Sequence, residues 1–262
     1  GGVLVLGTVG NMPPFDISRS SLALGRMPEI ARKTLEFGDQ KKLADSLSEL
    51  AGGLRLSGIL KIANEIRALV ASGRSVVNLT VGDFDPRYFR IPEPLLEEIR
   101  VALAAGCTNY PPQPGLLALR EAVRDYVERN SGVHYPLESI LITSGGRPVI
   151  YSAFRILVSP GDKVVYSVPS WQNDSYSWLS GAHEVVITAQ ASNGFQPTLE
   201  EIAPHLQDAR MLCLCSPGNP TGTAMDPAVF RSILEAVVAE NRRRESGGNQ
   251  KPLFVLYDQI YG

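Results

Sequence analysis

Cysteine is scarce: Cys107, Cys213 and Cys215 are the only three in 262 residues. So few, and an odd number, cannot build the disulfide framework of a small secreted domain, and a reducing cytoplasm fits best. Histidine is as rare, and His134, His183 and His205 stand apart with no partner at metal-ligand spacing, which predicts no metal. An excess of one charge is also lacking. Lys and Arg number 25 against 27 Asp and Glu, a formal net charge of -2, and the signs are interspersed, which argues against a nucleic-acid partner. The basic run Arg242-Arg243-Arg244 closes a predicted helix, where cations favour the carbonyl end, and reads as a solvated terminus. No apolar stretch approaches the ~20 residues that span a bilayer, and Gly1–Gly10 lacks the basic flank of a signal peptide. What is present is ordinary for a globular chain, 44% hydrophobic and 20% charged residues, enough for a substantial core. The chain opens on Gly1 and stops at Tyr261-Gly262, straight after an apolar run, so a fragment is expected.

Residues 1–53 carry Pro13-Pro14, scattered Ser and Gly and little periodicity beyond a short helix near Asp39–Leu50, and read as a poorly ordered or arm-like extension. From Ser57, Ile59, Leu60, Ile62, Ala63, Ile66, Leu69 and Val70 recur at helical spacing up to Gly73, so that 54–75 reads as a linker helix, with an apolar run Val76–Val81 beyond it. A helix is predicted up to Ala105, then the irregular Tyr110–Gly115, then a helix carrying Leu119, Ala122, Val123, Tyr126 and Val127. Strand candidates follow at Ser139–Thr143, Lys163–Val168, Glu184–Thr188, Met211–Cys215 and Leu253–Tyr257, mostly separated by helices. One of these opens with Asp226-Pro227, a capping residue before a first-turn proline, and aligns Val229, Phe230, Ile233, Leu234, Val237 and Val238 on one face. Apolar strands alternating with helices predict an α/β fold, a mainly parallel sheet with helices on both faces, and 54–262 form its incomplete large domain.

Open α/β sheets bind ligands beyond the carboxyl ends of their strands. There the sequence places Ser144-Gly145-Gly146-Arg147-Pro148, whose free N–H groups suit an anion, and Pro169-Ser170-Trp171, with a flat aromatic. It also places Ser216–Gly222, a rigid turn around Asn219, and Asp258 with Tyr261 three residues on. Each alone also reads as plain structure: a tight turn, a core tryptophan, punctuation, an acid paired with an arginine. Their convergence on one rim is what a phosphorylated heteroaromatic cofactor requires.

From about Leu54 to Gly262, four fifths of the chain, the sequence resembles the fold-type-I pyridoxal-phosphate enzymes, class I aspartate-aminotransferase-like proteins in particular. The resemblance rests on Asn78–Gly82, Thr108-Asn109-Tyr110, Ser144–Arg147, Pro169-Ser170-Trp171, Ser216–Gly222 and Tyr257–Tyr261, in order and spacing. It implies an aminotransferase using pyridoxal 5'-phosphate to move an amino group between an amino acid and a 2-oxo acid. Asp258 would pair with the protonated pyridine nitrogen, and Asn219 and Tyr261 would bond the phenolic oxygen. Trp171 would stack on the ring, while the turn Gly145-Gly146-Arg147 would hold the phosphate through the backbone N–H groups of Gly146 and Arg147. Gly82 and Asn219 would lie near the substrate, and Tyr110 would reach the phosphate of a partner subunit in a homodimer.

Gln259 and Arg147-Pro148 depart from the family pattern, and no lysine follows Asp258, so the Schiff-base lysine is not in this chain. The family also includes carbon–sulfur lyases, decarboxylases and synthases, and a lysine-free paralogue that only binds the cofactor is a further alternative.

Overall fold

The computed structural model describes residues 45–54, 58–78, 82, 85–248 and 251–261. Most of the extension predicted over 1–53, the start of its Asp39–Leu50 helix and Leu79–Val81 of the apolar run lie outside the described residues. The described residues belong to two compact units, one ending at Asn109 and one starting at Tyr110.

The smaller unit holds α1 (Glu49–Gly52), α2 (Gly58–Ala71) and α3 (Glu93–Ala104). The Ser48 hydroxyl accepts the Ala51 N–H at 3.2 Å and so caps α1, while α2 stops before Gly73, whose φ of 85° suits a residue without Cβ.

The larger unit opens with α4 (Leu117–Ser131) and continues with α5 (Gly146–Leu157), β1 (Lys163–Val168), α6 (Asn173–Ser180) and β2 (His183–Thr188). It closes with α7 (Leu199–Ile202), β3 (Ala209–Cys215), α8 (Pro227–Ser246) and β4 (Phe254–Asp258). The four strands form one parallel sheet in the order β2-β1-β3-β4. Alternation along the strands builds a core on each face. Val164, Tyr166, Met211 and Cys213 pack with Phe154 of α5 and Tyr176 of α6. Val165, Leu212 and Leu214 pack with Ile202 of α7 and with Ile233 and Val237 of α8. Burial on both faces is why β1 and β3 are apolar through their middles, whereas β2, at the sheet edge, is largely exposed. Asp226 caps α8 as its sequence predicts, accepting the N–H groups of Ala228 and Val229 at 2.7 and 3.3 Å. The apolar face of α8 is narrower than its spacing suggests, because Val238 is exposed.

Two expectations are corrected. Ser139–Thr143 is no strand: a 3-10 turn covers Leu137–Ser139 and the residues after it run extended without a ladder partner among the described residues. Their backbone groups are engaged elsewhere, since Arg120 donates to the carbonyls of Ile140 and Leu137 and the Ile142 N–H donates to Pro114 O at 3.0 Å. Gly115, with φ of 102°, lies so close that a Cβ there would sit 2.6 Å from Ile142 Cβ.

The basic run is the second correction, because Arg244 is buried at 5% exposure. Its guanidinium donates to the carbonyls of Leu206, Ala209 and Lys251, each at 2.8 Å, and to the Glu240 carboxylate at 2.6 Å. Burying an arginine is tolerable only with its donors so occupied. Arg243, and then Arg244, hold the Glu240 carboxyl down to about 2. Because that value lies below the unfolded one, the stabilisation is fully present above the ordinary carboxylate range and drains away as pH falls towards 2.

Glu240→Gln is therefore expected to lower stability in urea by about 1.5–3 kcal/mol at pH 7, with the gap narrowing as the solution is acidified. Arg244→Met, which takes one of two cations from Glu240 and removes the donors to the Ala209 and Lys251 carbonyls, should cost about 3–5 kcal/mol. A Glu240→Gln deficit that stays constant with pH contradicts the assignment.

Candidate active site

β4 carries Asp258 as its last residue, paired in register with Cys215 at the end of β3. The carboxylate is partly buried, and Oδ1 accepts the Ile260 N–H at 3.2 Å. No arginine, lysine or histidine pairs with it among the described residues. Burial raises its pKa, and the Ile260 N–H offsets this only in part. Asp258 opens onto a groove of about 230 Å³ whose other wall is Val149, Ile150 and Ala153 of α5.

The same helix supplies the anion cradle. Gly145 precedes it at φ 91°, ψ 178°, a conformation open in practice to glycine alone, and the Thr143 hydroxyl donates to its carbonyl at 2.5 Å. No side chain caps α5, so the N–H groups of Gly146 and Arg147 are left at the positive end of a 12-residue helix. Pro148 brings no N–H, yet a first-turn proline suits the helix start. The Arg147 guanidinium lies 5.8 Å from the centroid of the Trp171 ring, a cation–π contact that ties the start of α5 to the end of β1.

Trp171 follows the cis Val168-Pro169 bond and is half-buried. Asn219 projects from the turn after β3, where Ser216-Pro217 and Asn219-Pro220 are also cis. The Gly218 N–H donates to Thr223 O at 2.8 Å and the Gly222 N–H to Gly218 O at 2.7 Å, closing the turn on itself. Asn219 lines a small polar crevice with Pro169, Ser170, Cys213 and Cys215. Cys215 donates its thiol to Pro217 O at 3.3 Å, and burial raises the thiol's pKa. Asp258, Asn219, the Trp171 segment and the start of α5 therefore stand along one rim. Tyr261 is exposed in the turn after Asp258, and Tyr110 is fully exposed at 101%. Gly82 belongs to the smaller unit, where a Cβ would meet nothing within 4 Å.

Sequence reasoning missed Tyr176. This residue of α6 packs against Phe154 with ring centroids 5.6 Å apart, and its spacing in the sequence signals only core. Burial raises its phenol pKa, the Arg147 charge pulls it down and Asp258 pushes it up.

The model of the family "aminotransferase class I and II" matches residues 74–243. A bifunctional aspartate aminotransferase and glutamate/aspartate-prephenate aminotransferase of Petunia hybrida is 30% identical over 226 residues, 85% of this chain and 44% of the relative. An aspartate aminotransferase of Rhizobium meliloti is 32% identical over 187 residues, covering 70% of this chain and 44% of its own length. Among solved structures, Thermus thermophilus aspartate aminotransferase with maleate superposes with a TM-score of 0.73 at 27% identity, covering 82% of this chain and 53% of that one. The chain thus spans about half the length of the relatives it matches.

Burial with no cation partner among the described residues makes Asp258 a cost to the fold. Its folded pKa lies above the unfolded one, so the cost is absent in strong acid and grows as pH rises through the ordinary carboxylate range. Asp258→Asn keeps the acceptor for Ile260 and should raise stability at pH 7 by on the order of 1 kcal/mol, a gain in Tm of roughly 2–4 °C. The gain should vanish near pH 3. Thermal melts showing a less stable variant at pH 7 contradict this.

Proposed function

The chain belongs to the class I and II aminotransferase family, and from that premise we propose that the whole protein is a pyridoxal-phosphate-dependent aminotransferase. Its substrates are an amino acid and a 2-oxo acid. The observation that carries the cofactor reading is Asp258, a partly buried carboxylate that accepts the Ile260 N–H and has no cation partner among the described residues. Such a group suits a ligand that brings its own positive charge, as a protonated pyridine nitrogen does. The remaining residues fit the rest of the same molecule.

Gly146 and Arg147 would bind the phosphate through their N–H groups at the uncapped end of α5, where the helix dipole favours an anion. Trp171 would cover one face of the ring and exclude water from it. Asn219 and Tyr261 would donate to the phenolic oxygen, which sets how readily that oxygen holds a proton. Asp258 would keep the proton on the ring nitrogen. When bound, the cofactor supplies an electron sink for the bond that breaks at the substrate α-carbon. Asn219 would also lie beside the substrate. We assign these residues to cofactor binding.

Full exposure of Tyr110 supports its contacting a partner subunit in a homodimer. No helix among the described residues is long and apolar enough to cross a membrane, and the three cysteines are free thiols, which suits a cytoplasmic setting.

Titration of the chain with pyridoxal phosphate, followed by absorbance, should give a saturable shift. Asp258→Ala should weaken it by on the order of tenfold or more. No saturable shift, or equal affinity in the variant, would overturn the assignment.

A further inference from the structure

The turn that presents Asn219 is gripped from outside by a neighbouring connection. After β2 the chain makes a 3-10 turn over Ala191–Asn193, and then Gly194 and Phe195 both take left-handed conformations, with φ of 60° and 57°. For Phe195 that conformation is costly, on the order of 1–3 kcal/mol, and it persists only where the surroundings impose it. Its result is that Gln196 faces inward, with 7% of its surface exposed.

The Gln196 side-chain amide donates to Thr223 O at 2.8 Å. That carbonyl also accepts the Gly218 N–H at 2.8 Å, so one oxygen joins the brace to the turn. The clasp is reciprocal, because the Thr223 hydroxyl donates back to Gly194 O and stands 3.0 Å from the Thr221 hydroxyl. Gly218, directly before Asn219, is pressed so closely on Gln196 that a Cβ there would lie 2.9 Å from Gln196 Nε2. On the opposite side Tyr257 donates to Ser216 O at 2.9 Å, and Ser216 Oγ accepts the Met225 N–H at 2.8 Å. Asn219 therefore sits in a turn held at its base by Ser216 and at its return by Gln196, while Gly218 and Gly222 within the turn offer no side-chain packing of their own.

We propose that Gln196 is a positioning residue for Asn219, holding the Ser216–Thr223 turn so that the Asn219 amide meets the phenolic oxygen of the cofactor. The inference rests on the pyridoxal-phosphate reading of the site, since that reading gives Asn219 its task. Gln196 itself meets the turn at Thr223 and Gly218. A carboxylate in its place cannot donate and would face the Thr223 carbonyl with like partial charge, whereas an ammonium restores a donor.

The test uses the 262-residue chain with pyridoxal phosphate as the probe, in Gln196→Glu, Gln196→Lys, Asn219→Ala and the double variant Gln196→Glu/Asn219→Ala. The readouts are affinity and the pH at which the bound chromophore titrates. Gln196→Glu should weaken binding on the order of tenfold and shift the chromophore titration upward, as Asn219→Ala does, because a lost donor makes the phenolic oxygen more basic. Gln196→Lys should recover most of both effects, and the double variant should be no worse than Asn219→Ala alone. Additive effects in the double variant, or an unshifted titration in Gln196→Glu, would overturn the proposal. Failure of the unsubstituted chain to bind pyridoxal phosphate would instead strike the site reading. In that case nitrogen-15 spectra of the cofactor-free chain still decide whether Gln196 positions Asn219. The Asn219 side-chain amide signals, assigned by their loss in Asn219→Ala, should broaden or move in Gln196→Glu, and unchanged signals would contradict the brace.

Discussion

A carboxylate held partly out of water, with no cation partner among the described residues, is the constraint on which the candidate site depends. Asp258 reaches that position because β4 ends where the sheet's carboxyl edge opens, and its pairing with Cys215 fixes it beside the turn of Asn219. Ion-paired to an arginine, the same residue would be part of the scaffold. Unpaired, it is a cost that a cationic ligand can relieve, and it gives the uncapped start of α5 and the Trp171 face a common purpose.

The parallel sheet makes this geometry possible. Every β-strand ends at the same edge, so chemistry scattered over more than a hundred residues of sequence meets on one rim. Two cores, one on each face, hold the strands in register, and polar anchors secure the connections. Arg244 gathers carbonyls at the opposite end of the sheet, while Gln196 and Tyr257 grip the turn at the site end. Polar anchors therefore stand at both ends of the sheet.

Much of this was legible in the sequence. Apolar runs marked β1 through β4 to within two residues, most plainly β1 and β3, whose burial on both faces shows in their composition. Asp226-Pro227 marked the start of α8, because capping is a local event. Asn219, Trp171 and the Gly145-Gly146 pair stood out because turns and left-over backbone donors depend on residue type. What was not legible depends on distant partners. Ser139–Thr143 has the composition of a strand, but Arg120 and Pro114 occupy its backbone groups. Arg244 looked like a solvated helix end, yet two of the carbonyls that it meets, those of Leu206 and Ala209, come from 38 and 35 residues away. Gln196 and Tyr176 carry no motif, and their places appear only once the connections are folded.

The most direct measurement is the protonation state of the ring nitrogen in bound cofactor. With nitrogen-15 in the pyridine ring of pyridoxal phosphate, the unsubstituted chain should show the chemical shift of a protonated nitrogen at neutral pH, and Asp258→Asn that of a neutral one. A neutral ring nitrogen in the unsubstituted chain, or a protonated one that survives the substitution, would contradict the account.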